Sequence, residues 1–397
     1  MASLLIRCRP AAASLKALLP SSVSPSASAP AAGPLATHSQ VARICHKDHI
    51  DPEILRDKPA PWPYDSSKHT WFDQFVLRRD RCVRRWDENS VVIAIEGPMA
   101  VGKEAFGAKL ADLLGMRFYG EATVEPLYLR EDGYDLRLLN FRLPESGQYV
   151  DQKLFYLNPS HLGVPSFLYY MYVMKFFHYL EGLTHLYNTG QGVVQERTPF
   201  SDYVFHECLY KMGLIKRDFK EFYHDVYVDT HQTIHRPHVV IYLDIPPEES
   251  LKRFIAKSPA YVKESPIVNL EYFTLLDQVF KQHYLPAISK HADVLVYDWS
   301  QEGDLELVVE DLEALDFSQY ERMTEKLEDW RKYKSEDYDW ERHIFTNRRV
   351  EIYKWFNQPT YDKPSVLIPQ EVLKLREELE KAEVHVCLSL SSLVSSD

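Results

Sequence analysis

The chain has 397 residues, 45% of them hydrophobic and 26% charged, which suits one large packed domain with extensions, or two small ones, rather than disorder. With 46 Lys and Arg against 58 Asp and Glu it carries −12, which argues against a nucleic-acid-binding surface as its main business. Five scattered cysteines (Cys8, Cys45, Cys82, Cys208, Cys387) with no C-x-x-C pair fit a reducing compartment and neither a disulfide framework nor a cysteine zinc site.

The first 47 residues contain no acid and are rich in Ala, Ser and Pro, with Arg7, Arg9 and Lys16 among Leu4, Leu5, Ile6, Leu15, Leu18 and Leu19. That is the composition of a mitochondrial transit peptide, placed here at residues 1–44. An arm over 45–90 follows, in which "WFDQFVLRRDRCVRRW" spaces its apolar residues helically and presents Arg78 to Arg85 as a solvated basic face.

From residue 91 apolar strands alternate with helices. "VVIAIE" is a β-branched run, followed by a glycine turn and the helix "KEAFGAKLADLLG"; "MRFYGE" is a short strand. After a long polar insertion comes the aromatic helix "SFLYYMYVMKFFHYLEGLTHLYNTG". Lys175, His178 and Glu181 break this stretch, so it falls short of the roughly 18 apolar residues that span a bilayer. "QGVVQERT", "HVVIYLDI" and "DVLVYD" are three further strands, giving a five-stranded parallel sheet in a three-layer α/β P-loop fold over 91–300. Residues 301–383 read as charged helices with Trp330, Trp340 and Trp355 on apolar stripes, and 384–397 as a tail without a physical role of its own.

The chemistry centres on "EGPMAVGKEAF", residues 96–106. A G-x-x-x-x-G-K between a buried strand and an amphipathic helix curls backbone N–H groups inward at phosphate oxygens, with Gly97 and Gly102 permitting the curl and Lys103 adding a cation. The residue after the lysine is Glu104, where a neutral Ser or Thr hydroxyl ordinarily holds Mg²⁺. A longer, negative side chain there works against nucleotide phosphates and against the positioning that phosphoryl transfer requires. His231 and His235 in "HQTIH" have no glutamate or third ligand beside them and read as polar surface or loop capping rather than a metal site. No G-x-G-x-x-G with a following acid marks a flavin or NAD site.

"GPMAVGKEAF", "GEATVEP", "GQGVVQERTPFSDYVF" and "HVVIYLDIPPEESLKRF", in this order, resemble the deoxynucleoside kinase family. The resemblance is closer still to the kinase-like accessory subunits of mitochondrial NADH dehydrogenase (complex I), in the "TGQGVV" run, the insertion and the C-terminal extension. It implies Glu121 as the base toward a sugar hydroxyl, with Glu125 a rival in the same loop. It also implies Glu196-Arg197-Thr198 as the motif whose arginine steadies base and phosphoryl group, Arg253 and Lys257 as lid cations, and Glu264 as a sugar contact. Three positions depart from the kinases: Glu104, Lys257 in place of a bidentate arginine, and Leu168, counted back from "TGQG", where a glutamine reads the base.

The implied function is a non-catalytic subunit, peripheral to the inner membrane on the matrix side of the complex I membrane arm. Its partners are other complex I subunits, and a purine nucleotide or deoxynucleotide sits at the loop. FAD enters by family description only, and Mg²⁺ is left open. The competing reading is an active mitochondrial deoxynucleoside kinase, favoured by Lys103, Glu121 and Arg197.

Overall fold

The computed structural model describes residues 80–394, apart from 131, 302, 318–323 and 333, together with 8–9 and 61–62. Most of the expected transit peptide and of the arm, including residues 71–79 of the expected arm helix, lies outside the described residues.

The expected sheet is present. Strands β2 (Val92–Glu96), β3 (Arg117–Tyr119), β4 (Val193–Glu196), β5 (Val239–Asp244) and β6 (Asp293–Asp298) run parallel in the order β6-β5-β2-β4-β3. A two-residue strand β1 (Cys8–Arg9) extends the edge beside β6. β2, β4 and nearly all of β5 are buried residue by residue, as strands covered by helices on both faces must be. β2 is central, and the chain leaves it toward β3 on one side and returns to β5 on the other. The crevice at the carboxyl ends of these strands is therefore where a ligand site is expected.

Helix α1 (Lys103–Leu114) buries Phe106, Leu110, Ala111 and Leu114, an i, i+4, i+5, i+8 stripe, and ends on left-handed Gly115. The aromatic helix α2 (Val164–Thr189) is 26 residues, about 39 Å, and ends on left-handed Gly190. α3 (Tyr203–Lys211) and α4 (Arg217–His231) follow β4; α5 (Pro247–Lys257) and α6 (Leu270–Val279) follow β5. The extension holds α7 (Leu305–Glu313), α8 (Ser335–Asn347), short turns at Arg349–Tyr353 and Lys354–Phe356, and α9 (Gln370–Val394). The boundary drawn at 384 from sequence falls inside α9. The charged run 324–345 is not one helix: Glu328–Trp330 is a single 3-10 turn ahead of α8, entered through Leu327 at a left-handed φ of 55°.

α2 is apolar almost all round because it has two coats. Gly182 lies against the Gln195 side chain of β4, and Phe356 of the extension packs on Phe176 at 4.9 Å and Phe177 at 5.7 Å between ring centroids. Trp330 is buried among His238, His235, Tyr187 and Trp86, its Nε1 donating to Arg236 O at 2.7 Å. Trp340 and Trp355 do not join it; they are 55% and 52% exposed.

Two expectations change at this seam. The described end of the arm is a 3-10 turn (Cys82–Arg85), in which Arg84 is exposed as expected but Arg85 is buried and Arg81 half-buried. Arg85 is buried and bound by Asp80 through both guanidinium nitrogens at 2.7 Å, Arg342 of α8 binds the same carboxylate, and Arg81 reaches Asp339 at 2.7 Å. The acidic partner of the arm is the chain's own extension. His235 is likewise interior, 3.0 Å from both Glu341 Oε1 and Tyr187 Oη, because α4 ends at His231 and the loop turns His235 inward. His231 instead hydrogen-bonds Tyr227 O at 2.8 Å, so the pair shares no ligand position.

Candidate active site: a phosphate loop closed on itself

Between β2 and α1 the backbone makes the curl that the glycines foretell. Gly97 has φ of 146°, and a Cβ there would meet Leu243 O at 2.5 Å, so the loop runs hard against β5. Gly102 has φ of 102° at the head of α1, and Ala100 takes a left-handed φ of 58° between them. A non-glycine residue held there is strained, as phosphate-binding loops tolerate.

Lys103 points back into this curl. It is 5% exposed, donates to Pro98 O at 3.0 Å, and lies 3.9 Å from Glu196 Oε1. Burial and the nearby Arg197 cation lower its pKa to about 8 against the pull of Glu121, Glu196 and Glu96. Burial also raises the Glu196 carboxyl, with Lys103 opposing.

The expected pair forms. Glu121, beyond the end of β3, is 3.1 Å from Arg197 Nε, just past β4. Burial works to raise the Glu121 pKa, but Arg197, Lys175 and Lys103 outweigh it and hold the carboxylate charged. Glu125 is not its rival: it turns away to Arg137 at 2.8 Å. Arg197 is 5% exposed, takes a left-handed φ of 54°, and sits 4.7 Å over the Phe205 ring. Its Nε and Nη1 are buried without a hydrogen bond of good geometry. Two guanidinium N–H groups left in this state cost free energy, which an anion in the crevice would recover.

On the lid side Arg253 does not point into the crevice. It is bound to Glu249 at 3.0 Å and to the carbonyls of Trp299 and Ser300, pinning α5 to the loop after β6. Lys257 is exposed at the end of α5. Together with Val101, Gly102, Phe106, Trp299 and Leu305 these residues line a cleft of about 490 Å³ beside the loop. Glu104 is exposed on the first turn of α1. Glu264 is exposed just past the turn Ala260–Lys263 and, among the described residues, makes no ion pair with the groups above. Leu168 is buried on α2 in the hydrophobic core.

Sequence reasoning missed Lys175 with its partners Asp202 and Tyr223, and Glu96. Lys175, two turns after Leu168 on α2, forms a buried ion pair with Asp202 at 2.5 Å, and Tyr223 donates to the same carboxylate at 2.9 Å. A lone lysine in an apolar helix was the available signal, since such a charge is buried only when paired. Glu96, fully buried at the end of β2, accepts from Thr198 N at 2.9 Å and Thr198 Oγ1 at 2.8 Å, tying the phosphate loop to β4; burial raises its pKa.

The residues present fit one kind of group, a nucleotide phosphate tail on Gly97, Gly102, Lys103 and Arg197. For the FAD of the family description they offer nothing beyond this same loop. Among the described residues no cluster of three or more His, Cys, Asp or Glu could hold a metal ion, and no helix is long and apolar enough to cross a membrane.

Comparison with known proteins agrees with this geometry. The sequence profile described as deoxynucleoside kinase matches residues 93–335. Subunit 10 of the NADH dehydrogenase [ubiquinone] 1 alpha subcomplex, mitochondrial, is 32% identical in Rattus norvegicus over 241 residues, covering 60% of this chain and 66% of that protein. In Mus musculus it is 32% identical over 253 residues, covering 63% and 68%. Deoxyguanosine kinase of Dictyostelium discoideum is 28% identical over 224 residues, covering 56% and 69%. The chain spans about two thirds of the length of these relatives. The matched profile begins on β2 and runs through the phosphate loop, the Glu121–Arg197 pair and the lid helix: the chain belongs to the deoxynucleoside kinase family.

Proposed function

We propose that the chain is a non-catalytic accessory subunit of mitochondrial NADH:ubiquinone oxidoreductase, lying on the matrix side of its membrane arm and using the kinase fold as a scaffold that holds a nucleotide. The observation that carries this reading is the self-closed loop. Lys103 rests on Pro98 O, Arg253 is taken by Glu249 and two carbonyls, and Leu168 is core. Phosphoryl transfer depends on positioned cations, and here one lid cation is a structural pin while Glu104 occupies the metal-ligand position. The 32% identity to the mammalian complex I subunits points the same way.

In this arrangement the chain's residues bind and orient without moving a phosphoryl group. The loop N–H groups and Lys103 cradle a phosphate, Arg197 supplies the Nη1 donors that Glu121 does not reach, and Glu96 with Thr198 fixes the spacing of loop and β4. The expected transit peptide would deliver the chain to the matrix.

A second reading, an active deoxynucleoside kinase, is favoured by one observation: Arg197 holds Glu121 charged at the mouth of the crevice. Two measurements separate them. On a native gel of mitochondrial membranes the chain should co-migrate with complex I, and its depletion should lower assembled complex. With ATP, Mg²⁺ and each deoxynucleoside the purified protein should give no turnover; robust turnover abolished by Lys103→Ala would overturn the non-catalytic reading.

A further inference from the structure

The turn after α8 carries an apolar and basic ridge that the fold leaves uncovered. Ile352 and Phe356, one helical turn apart, are buried at 3% and 1%, and Phe345 beneath them is buried too. Around them Val350 is 75% exposed and Trp355 52%, while Tyr353, 43% exposed, lays its ring beside Phe356 and Phe177 at 6.0 Å between centroids. Trp340, 55% exposed on α8, joins this surface through Arg348, whose guanidinium carbon lies 5.6 Å from its ring. Burial in the core does not account for Val350, Trp340 and Trp355.

The charge of the ridge is opposite to that of the chain. Over 348–356 Arg348, Arg349 and Lys354 stand against Glu351, which Arg348 pairs at 3.1 Å, whereas the whole sequence carries −12; the exposed acids Glu336 and Asp337 lie one turn from Trp340 on α8. Arg349 also leans 3.8 Å from Glu181 of α2. Aromatic rings with a polar edge, interleaved with long cationic side chains on one short element, are the chemistry of the membrane–water interface. There the rings sit at headgroup level and the cations meet phosphate. With no membrane-crossing helix among the described residues, such a surface would let the chain touch a bilayer from one side.

We infer that Trp340, Val350, Tyr353 and Trp355, with Arg348, Arg349 and Lys354, form a contact surface for the headgroup layer of an anionic phospholipid membrane. It rests on the placement proposed above only for which membrane is met; the binding itself is a property of the ridge. Three cations and four apolar side chains make a weak, reversible contact that needs a second attachment to be stable, as single anchors do.

The test is vesicle flotation with protein purified from mitochondria, and with variants sharing the same N-terminus. Vesicles are phosphatidylcholine alone or phosphatidylcholine mixed with phosphatidylglycerol. Binding is expected to the mixed vesicles alone, with a blue shift of tryptophan emission, and to fall at least about tenfold when salt shortens the Debye length from about 10 Å to about 3 Å. The double variant Trp340→Ser/Trp355→Ser should lose the blue shift and most binding, and Lys354→Glu should lose binding several-fold. All three positions are exposed, so the melting temperature should stay unchanged. Lys252→Glu, equally exposed but on α5, should bind like the wild type.

Wild-type protein that ignores anionic vesicles at low salt overturns the inference. If the same variants then fail to co-migrate with complex I, the ridge is a protein-docking surface instead. Vesicle binding with no co-migration would leave the ridge standing and remove the proposed function.

Discussion

The seam between core and extension and the crevice around Lys103 both bury charges, for different ends. At the seam charges are answered within the chain: Arg85 and Arg342 by Asp80, His235 and Lys332 by Glu341, Arg236 by Asp329. In the crevice Lys103 faces Glu196 at 3.9 Å, beyond hydrogen-bond length, and Arg197 keeps two buried donors without a well-aligned partner. Desolvated charges that are fully paired fix a structure, and charges left over mark where something else is to bind. The extension is therefore part of the folded core, while the crevice is a site prepared at a cost to stability.

The sharpest way to break this contrast is to remove one charge from each region. Asp80→Ala leaves two buried guanidinium groups without their carboxylate and should cost about 3–5 kcal/mol, read as a lowered denaturant midpoint at unchanged slope. Lys103→Met removes a cation whose burial opposes folding, and should leave stability within about 1 kcal/mol of the wild type while abolishing nucleotide binding. Equal losses in the two variants would sink the distinction.

The second test is pH. The folded pKa of Lys103, about 8, lies below its ordinary 10.5. Over that window the unfolded chain holds a proton that the folded chain lacks, so this group makes stability rise with pH. Phosphate binding needs the cation, so its affinity should fall by up to about tenfold per pH unit above 8, measured by calorimetry with ATP. Lys103→Arg should flatten that decline. At the seam the slope has the same sign in another window: Asp80 and Glu341 are held below their ordinary carboxyl pKa values, where hydrogen bonds and charges outweigh burial. Their contribution is full at neutral pH and lost only in acid, below about 4.5.

This contrast also sets what the sequence discloses. The sheet and phosphate loop are written locally, in β-branched runs and glycine spacing, and Gly97, Gly102, Lys103, Glu121 and Arg197 come together as their motifs imply. The seam is written in pairs far apart in sequence. Nothing beside Arg85 announces Arg342, 257 positions later, so Arg85 looks solvated when it is interior. Lys175 and Asp202 are invisible as a pair for the same reason, and Arg253 looks like a lid cation because its sequence neighbours do not disclose the carbonyls of Trp299 and Ser300. Trp340 and Trp355 fail differently. A helical apolar stripe predicts burial, and only the packing of Ile352 and Phe356 decides which side faces out.

The smallest expected effect is also the one that bears most on catalysis. Glu104→Ser restores a neutral hydroxyl at the metal-ligand position and removes one exposed carboxylate from the first turn of α1. An acid at a helix N-terminus favours the helix by about 0.3–1 kcal/mol, so the variant should lose that much stability. It should also bind Mg²⁺–ATP a few-fold more tightly, since a like charge beside the phosphates is gone. It should not phosphorylate deoxynucleosides, because Arg253 remains pinned to Glu249 and Leu168 still fills its place in the core. If turnover did appear, the loop's one altered residue would have been the whole barrier to catalysis. The pinned lid would then be a resting position rather than a loss.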